Sequence, residues 1–568
     1  MLSSSTETPS GLDKHSKEIV EVENTVKKRS LKFWLVIFAC LMVDLLSALD
    51  LTIVSTALPT IVKDLRGSDF IWVGSAYAIA STAILPTIGG LASTLGRKPI
   101  LLFFISLFAA GSAICGSAHS ITMVIAGRVI QGLGGGGCIA TTEIIYADLV
   151  PLPERGKFLG ICASVWAFAC AIGPPVGGSL AQVGAWRWIF YLNIPLCGIA
   201  FFLVLFFLDV RTPQEGFSNM LKKMDWWGLF IIIASTTAVN VALVWAGVRF
   251  VWISAHVLVP LLLGMAGLIV FFFIELRYIK YPTVPRFIVT NRTTLAGYFG
   301  TCIHGIVSMA SIYYLPVYFQ ACKLATPIHS GLNFLGMSLV IPIAGIFTGV
   351  SVEILHRYRP QNYIGWLLIV VGLGLMSLLD ENSSAAKYIG LQILLATGLG
   401  TIFIGPQFPI LAPLPFSNNA HALAFFTFLR CFSQGWGIVV GGSILQNTLK
   451  NRLPPTFIET FSGNPQLVFD IILEIHTLSP DLQEKVRGVF AEGLRIMWYT
   501  LTGISVLGLL SCLSIQEIEM KKSLDEQWGL QEETIPSGDH LNSCPNEEKE
   551  EIRTKGMGPD VGSVQLEA

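Results

Sequence analysis

About fourteen runs of apolar residues follow one another along this chain, each close to the ~20 residues that a helix needs to cross a hydrocarbon core. Because that core offers no water to pair exposed backbone groups, an apolar run of this length crosses it as an α-helix. The composition agrees, since 52% of the 568 residues are hydrophobic and only 13% are charged. The sequence therefore predicts an all-α polytopic membrane protein. The predicted spans are 33–60, 70–90, 99–118, 121–148, 157–182, 188–208, 226–247, 251–274, 294–320, 331–355, 362–379, 388–413, 422–448 and 491–514.

Polar segments flank this apolar region at both ends. Residues 1–32 are rich in Ser, Thr, Glu and Lys and contain no apolar stretch after Met1, which indicates a disordered tail and not a cleaved signal peptide. Residues 515–568 are equally polar and predict a second disordered tail. Lys and Arg concentrate in the loops that follow even-numbered runs, which is typical of cytoplasmic loops. Both tails are therefore expected in the cytoplasm, and the long segment 449–490 is expected to be an outer loop.

A cation stands inside the fourth apolar run. A guanidinium in hydrocarbon costs at least ~2.5–3.5 kcal/mol, so Arg128 is expected to face a bundle interior or a wet cavity. Four glycines, Gly134 to Gly137, follow it, and in a membrane small residues let two helices approach closely. The combination predicts a polar path through a helical bundle. The alternative is a structural Arg128 whose guanidinium is satisfied by neighbouring carbonyl groups.

Composition excludes several other classes of protein. Thirty-seven basic and 38 acidic residues leave a formal net charge of −1, so nothing favours a nucleic-acid partner. The 11 cysteines form no CxxC motif or Cys/His cluster, and we expect neither a metal nor a cofactor. The nine histidines are dispersed and no GxxxxGK[ST] motif occurs, which argues against a membrane enzyme and against an ATP-driven pump.

Four segments follow one another over about the first 180 residues: LDLTIVSTALP at 49–59, GLASTLGRKP at 90–99, RVIQGLGGGG at 128–137 and GPPVGG at 173–178. Together they resemble the major facilitator superfamily, and more narrowly its fourteen-spanning drug:proton antiporter branch, in the style of a fungal efflux transporter. The run at 425–442 resembles a late helix of that branch. The counterpart of the glycine-rich loop in the second half, at 349–360, departs from the family pattern.

The resemblance implies two six-helix bundles around a central cavity, with two extra helices inserted between them. The implied divisions are 33–208 for the first bundle, 209–293 for a linker carrying the extra helices, and 294–514 for the second bundle. Substrate would bind near the midplane, and rocking of the halves would alternate access.

Two motifs have roles in this scheme. The segment with Gly90, Gly96, Arg97 and Lys98 would be a cytoplasmic loop that acts as a latch on the inner side of the transporter. Its spacing alone fits an ordinary basic loop equally well. The helix with Gly173–Gly178, in which Gly173, Pro174, Gly177 and Gly178 carry the antiporter motif, would lie at the interface between the domains. Proline removes an internal hydrogen bond and kinks such a helix.

Proton coupling needs a carboxyl group that titrates inside the bundle. Asp50 matches the family motif and is the first candidate, with Arg128 as its partner. Asp44 lies six residues earlier, about 240° round the helix, so the two acids are expected to face different directions. Glu143 is the second candidate, and its alternative is a structural hydrogen bond near the outer surface.

Three further polar residues are candidates for lining the cavity, namely Gln131, Arg430 and Gln434, although each also fits a packing role. Asn382 begins a glycosylation sequon on the predicted outer side, close to the bilayer. The expected partners are a small-molecule substrate, protons and the lipid bilayer, and we expect a monomer.

The leading interpretation is proton-coupled export of a small organic compound, such as a toxin, drug or secondary metabolite, by a protein that is not an enzyme. The alternative on the same scaffold is an importer or vacuolar transporter of a basic solute or siderophore. The plasma membrane is the expected location, in preference to the vacuolar membrane.

Overall fold

The computed structural model describes residues 29–65, 71–209, 224–246, 249–453 and 474–520, together with 457, 471 and 472. The two predicted tails fall almost entirely outside these residues. Within them the chain forms long α-helices, which we number in chain order. They are α1 Leu31–Leu65, α2 Ile71–Leu95, α3 Arg97–Gly116, α4 Ile121–Leu149, α5 Leu152–Gln182, α6 Trp188–Tyr191, α7 Asn193–Phe207, α8 Trp226–Trp245, α9 Ala255–Arg277, α10 Arg292–Ala321, α11 Pro327–Leu355, α12 Arg359–Met376, α13 Ala385–Ile404, α14 Gln407–Leu411, α15 Asn419–Arg452 and α16 Pro480–Ser511.

Short polar side chains mark where several of these helices begin. The hydroxyl of Ser120 accepts a hydrogen bond from the backbone N–H of Met123 at the start of α4, and Ser384 caps α13 through Lys387 in the same way. Such caps satisfy backbone donors that have no partner inside the helix.

Among the residues that the structure describes, thirteen helices are long and apolar enough to cross a membrane. They match the predicted spans with one exception, the span 362–379, which corresponds to α12. This helix has 18 residues and begins with Arg359-Pro-Gln-Asn, so its apolar stretch is shorter than 18 residues. Large apolar side chains such as Leu263 and Ile269 on α9 are 67% exposed, as expected for a surface that faces lipid.

The predicted outer loop 449–490 is wrong at both ends. Helix α15 continues to Arg452, and α16 begins at Pro480, eleven residues before the predicted start of the last span at 491. Residues 481–492 are amphipathic, and such a pattern lets a helix extend beyond the apolar run that defines the span. Arg452 and Glu492 form an ion pair of 3.1 Å between the extended ends.

The helices pack in two groups. Helices α1 to α7 contact one another, chiefly through α1 with α5 and α4 with α2 and α3. Helices α10 to α16 form a second group around α10 with α15 and α13 with α11 and α12. Helices α8 and α9 pack on each other, and α8 also contacts α2 and α15. The two groups meet where α5 contacts α11 and where α15 contacts α2 and α4.

Glycines allow the closest of these approaches. A β-carbon on Gly134 would lie 2.5 Å from the backbone nitrogen of Phe108 on α3, and one on Gly136 would lie 2.4 Å from the carbonyl oxygen of Ser81 on α2. The expectation that the glycine run of α4 admits neighbouring helices is therefore confirmed. Between the groups, a β-carbon on Gly156 would lie 2.4 Å from the Cα of Gly349.

Candidate functional site

The structure brings Asp50 of α1 and Arg128 of α4 together as an ion pair, and both side chains are almost completely buried. Gln131 donates to the second carboxylate oxygen over 2.7 Å, and Asn193 of α7 donates to the same oxygen over 3.0 Å. Gln131 also donates to Ser112 of α3 over 2.8 Å. The carboxylate thus connects α1 with α4 and α7, and Gln131 extends the network to α3. A buried charge is stable only when it is paired and hydrogen-bonded in this way.

Arg128 is held on all sides. Its Nε donates to the carbonyl oxygen of Val73 over 3.0 Å, and its Nη1 also donates to Gln131 over 2.7 Å. The guanidinium carbon lies 4.4 Å from the ring centre of Tyr77. The contact between Asp50 and Arg128 is therefore present as expected. Gln131 belongs to this network, and its side chain is fully buried, so it does not line a cavity in this structure.

Asn193 and Ser112 are members of the network that the sequence analysis missed. Asn193 stands in an apolar run, between Leu192 and Ile194. A polar side chain inside a span is a functional candidate by default, so a complete inventory of amides within the spans would have found it.

Asp44 and Asp50, which we expected to face different directions, both contact α4 but have different partners there. Asp44 is buried and accepts hydrogen bonds from Thr142 over 2.9 Å and from Tyr146 over 3.1 Å, and both donors belong to α4. Both acids therefore contact α4, at different heights. A helical-wheel angle places Cα atoms only, and it ignores how two helices cross and how far a side chain such as Tyr146 reaches.

Glu143 does not join Asp50 and Arg128. It lies between α4 and α15, where the hydroxyl of Thr427 donates to its carboxylate and Arg430 forms an ion pair with it at 3.9 Å. The side chains of Glu143 and Arg430 are 14% and 9% exposed, so this contact is enclosed between the helices. Arg430 is a partner of Glu143 at the boundary of the two groups, whereas Gln434, one turn further along α15, is half-buried.

The predicted latch is not a loop. Gly90 lies within α2, and Gly96 alone separates α2 from α3, with a φ of 89° that favours glycine. Arg97 is buried and donates to Asp148 at the end of α4 over 2.8 Å, while Lys98 is half-buried. This pair lies inside the first group, because Asp148 belongs to α4.

The contact with the second group is made one residue before the predicted segment. A β-carbon on Gly89 would lie 2.7 Å from the Cα of His421 and 2.9 Å from the carbonyl oxygen of Ala420, at the start of α15. Beside it, a cavity of about 440 Å³ is lined by Gly90, Ser93 and His421, together with residues 279–283 and 285–287 that follow α9.

The antiporter-motif helix is α5, which contacts α11 of the second group as the domain-interface expectation requires. The motif glycines themselves do not make the closest contact. Gly173 packs on Thr52 of α1, where a β-carbon would lie 2.2 Å from the hydroxyl oxygen, and the space at Gly178 is open. Gly177 is buried, and the side chain of Pro174 lies outside the described residues. The close approach to α11 is made near the other end of the helix, by Gly156 and Gly160.

Asn382 lies in the short connection between α12 and α13, where it is exposed. Its backbone N–H donates to Asp380 over 2.9 Å, and Ser384, the last residue of the sequon, caps α13. Glycosylation of Asn382 stays a prediction.

The sequence of the chain matches the family model described as Major Facilitator Superfamily over residues 40–438. It is 35% identical over 527 residues to "Efflux pump FUS6" of Gibberella fujikuroi, covering 91% of this chain and 94% of that relative. It is 35% identical over 521 residues to "MFS-type efflux pump LUC4" of a Fusarium species, covering 90% and 92%. It is 34% identical over 524 residues to "Acurin A biosynthesis cluster MFS-type transporter" of Aspergillus aculeatus, covering 90% and 94%.

Solved structures share the fold at low sequence identity. The human organic anion transporter MFSD10 (TETRAN) matches with a TM-score of 0.56 at 12% identity, covering 85% of this chain and 100% of that one. The proton:xylose symporter XylE matches with a TM-score of 0.53 at 14% identity, covering 86% and 98%. The described part of the chain has thirteen helices able to cross a membrane, and the family match spans both helix groups, so this multi-pass membrane protein belongs to the major facilitator superfamily of transporters.

Proposed function

We propose that the protein exports a small, amphipathic organic compound, a secondary metabolite or toxin, by exchange for protons. The relatives are named as efflux pumps and MFS-type transporters, and one is named for a biosynthesis cluster. The location that fits export from the cell is the plasma membrane, with both termini in the cytoplasm. Helices α8 and α9 are additions to the two six-helix bundles.

The observation that carries proton coupling is the buried pair of Asp50 and Arg128. An ionisable group inside a membrane is costly, and such groups mark proton relays and substrate paths. Asp50 is held by side chains of α4 and α7, so a movement of these helices against α1 changes which groups surround the carboxyl. Such a change is what lets a carboxyl group take up a proton in one conformation and release it in another.

The test compares two variants of the same helix. Asp50→Asn keeps the shape of the side chain and removes its titration, so export driven by an imposed pH gradient should fall at least tenfold in proteoliposomes. Asp44→Asn should retain most of the gradient response, because the partners of Asp44 are hydroxyl groups and no ion pair is lost. The substrate for this assay is chosen first, by testing the parent protein on a panel of amphipathic toxins and taking a compound that it exports. A parent that exports it equally well without a pH gradient would contradict proton coupling.

A further inference from the structure

The charged pairs of the molecule differ in whether they lie within one helix group or join the two. Asp50 with Arg128, and Arg97 with Asp148, lie within the first group. Glu143 of α4 and Arg430 of α15 belong to different groups. When two groups rock as bodies to alternate access, contacts within a group are kept and contacts between groups are exchanged. Rocking of the two groups would therefore change the distance between Glu143 and Arg430.

Arg430 has partners of its own in the second group. Its Nη2 donates to the carbonyl oxygen of Phe403 over 2.7 Å, and its guanidinium carbon lies 4.2 Å from the ring centres of both Phe403 and Phe426. A cation between two aromatic faces is stabilised by the ring quadrupoles. Arg430 thus keeps three contacts if α4 moves away from α15.

Glu143 is in the opposite situation. Both partners of its carboxylate, Thr427 and Arg430, belong to α15 in the second group. Separation of α4 from α15 removes both at once and leaves a carboxylate in a largely apolar surrounding. A carboxylate in that position must take up a proton or gain access to water, because a buried charge without a partner is strongly unfavourable. Where the separated carboxyl stays away from water, uptake of a proton at Glu143 favours separation by linkage.

The other ionisable groups near this contact come from three elements. Asp44 of α1 lies close enough to Glu143 for the two acids to repel each other, and Cys431 of α15 lies near both members of the pair. His304 of α10 is close to Arg430, and its Nε2 lies 3.0 Å from the carbonyl oxygen of Leu399. Arg430 is the one cation that these contacts place beside Glu143.

We propose that Glu143 and Arg430 form a proton-sensitive tie between the two halves of the transporter. With Glu143 ionised, the tie holds α4 against α15. With Glu143 protonated, the carboxyl no longer attracts Arg430 and the halves separate at this level. This inference rests on the proposed proton-coupled transport and assigns the step at which a proton acts on the conformation.

A second ion pair between the groups serves as a matched control. Lys157 of α5 and Glu353 of α11 lie 2.7 Å apart, with side chains that are 42% and 25% exposed. Because water and salt screen exposed pairs, their contribution is small. Loss of this pair removes a contact between the same two halves without removing a carboxylate enclosed between helices.

The experiment measures the distance between the halves of the full-length protein in lipid nanodiscs, with no substrate present. Spin labels are attached through non-natural residues at Ser179 of α5 and Ile328 of α11, which are both exposed. The distance distribution of the parent should shift between two populations as the pH falls from 8 to 5. Glu143→Gln should give the same distance distribution at every pH from 8 to 5. Arg430→Gln should also give a distribution that does not change with pH. Glu353→Gln should leave the shift as it is in the parent.

Two results would overturn the tie: a parent whose distances do not respond to pH, or a Glu143→Gln variant that responds as the parent does. Arg430→Gln gives an independent answer if Glu143→Gln does not fold, as judged by its elution from a sizing column. The proposed function fails separately, if export by the parent ignores an imposed pH gradient. In that case a pH-dependent distance that is lost in Glu143→Gln would still establish the tie.

Discussion

At the scale of single residues, Arg128 and Arg97 are buried cations of the first helix group that differ in the number and kind of their contacts. Arg128 has a carboxylate, an amide oxygen, a carbonyl oxygen and an aromatic face around it. Arg97 has the carboxylate of Asp148 at 2.8 Å and the carbonyl oxygen of Ala92 at 2.8 Å. Both arginines therefore stabilise the fold of the first group, whatever part they also take in transport.

Arg97 and Lys98 are adjacent, but we expect their replacement to have different effects. Arg97→Ala removes a buried cation that is hydrogen-bonded to Asp148, and breaking a buried pair typically costs about 3–5 kcal/mol. Lys98→Ala removes a half-buried charge and should cost under about 1 kcal/mol. Thermal unfolding in detergent measures both, with Arg97→Ala melting well below the parent and Lys98→Ala close to it. Equal melting temperatures for the two variants would contradict the structural role of Arg97.

At the scale of helices, α4 is the element on which the first group is built. It carries Arg128, Gln131 and Glu143, and its glycine run lies against α2 and α3. The polar residues and the glycines therefore act together: close packing at the glycines sets the distance at which the polar side chains meet their partners.

We expect the glycines of this run to tolerate a methyl group poorly. Gly134→Ala places a β-carbon 2.5 Å from the backbone of Phe108, and overpacking of this kind typically costs about 1–3 kcal/mol. Gly198→Ala on α7 is the control, because no atom lies within 4 Å of the added carbon. There the higher helix propensity of alanine should leave stability unchanged or raise it by up to about 1 kcal/mol. A Gly134→Ala variant that melts with or above Gly198→Ala would show that α4 has room to move.

Sequence patterns predicted the helices better than they predicted the contacts of the site. Apolar length identifies a span because the bilayer imposes it, and Asp50 was found because it matches a motif and lies on a span. The partners of Glu143 were not predictable, since Thr427 and Arg430 lie 284 and 287 residues further along the chain and meet it only through the packing of α4 on α15. The start of α16 was misplaced for a related reason. Residues 480–490 are polar on one face, and hydropathy alone does not distinguish an extended helix from a loop.

At the scale of the whole molecule, α12 decides the topology. Thirteen spans would place the two termini on opposite sides of the membrane, and fourteen would place them on the same side. Helix α12 runs antiparallel beside α13 along its length: a β-carbon on Gly365 would lie 2.8 Å from Thr401, and one on Gly372 would lie 2.9 Å from the Cα of Leu395. Its 18 residues span about 27 Å, close to the ~30 Å of a hydrocarbon core.

Because α12 follows α13 for its whole length, it should cross whatever α13 crosses, and its polar start at Arg359 should lie at the membrane surface. We therefore expect fourteen spans with both termini in the cytoplasm. A reporter active only in the cytoplasm should work when fused before Met1 and when fused after Ala568. An epitope inserted after residue 465, between α15 and α16, should be labelled on intact cells. Activity of the reporter at one terminus alone would mean that α12 does not span, and an epitope hidden in intact cells but labelled after permeabilisation would reverse the orientation that the basic loops predict.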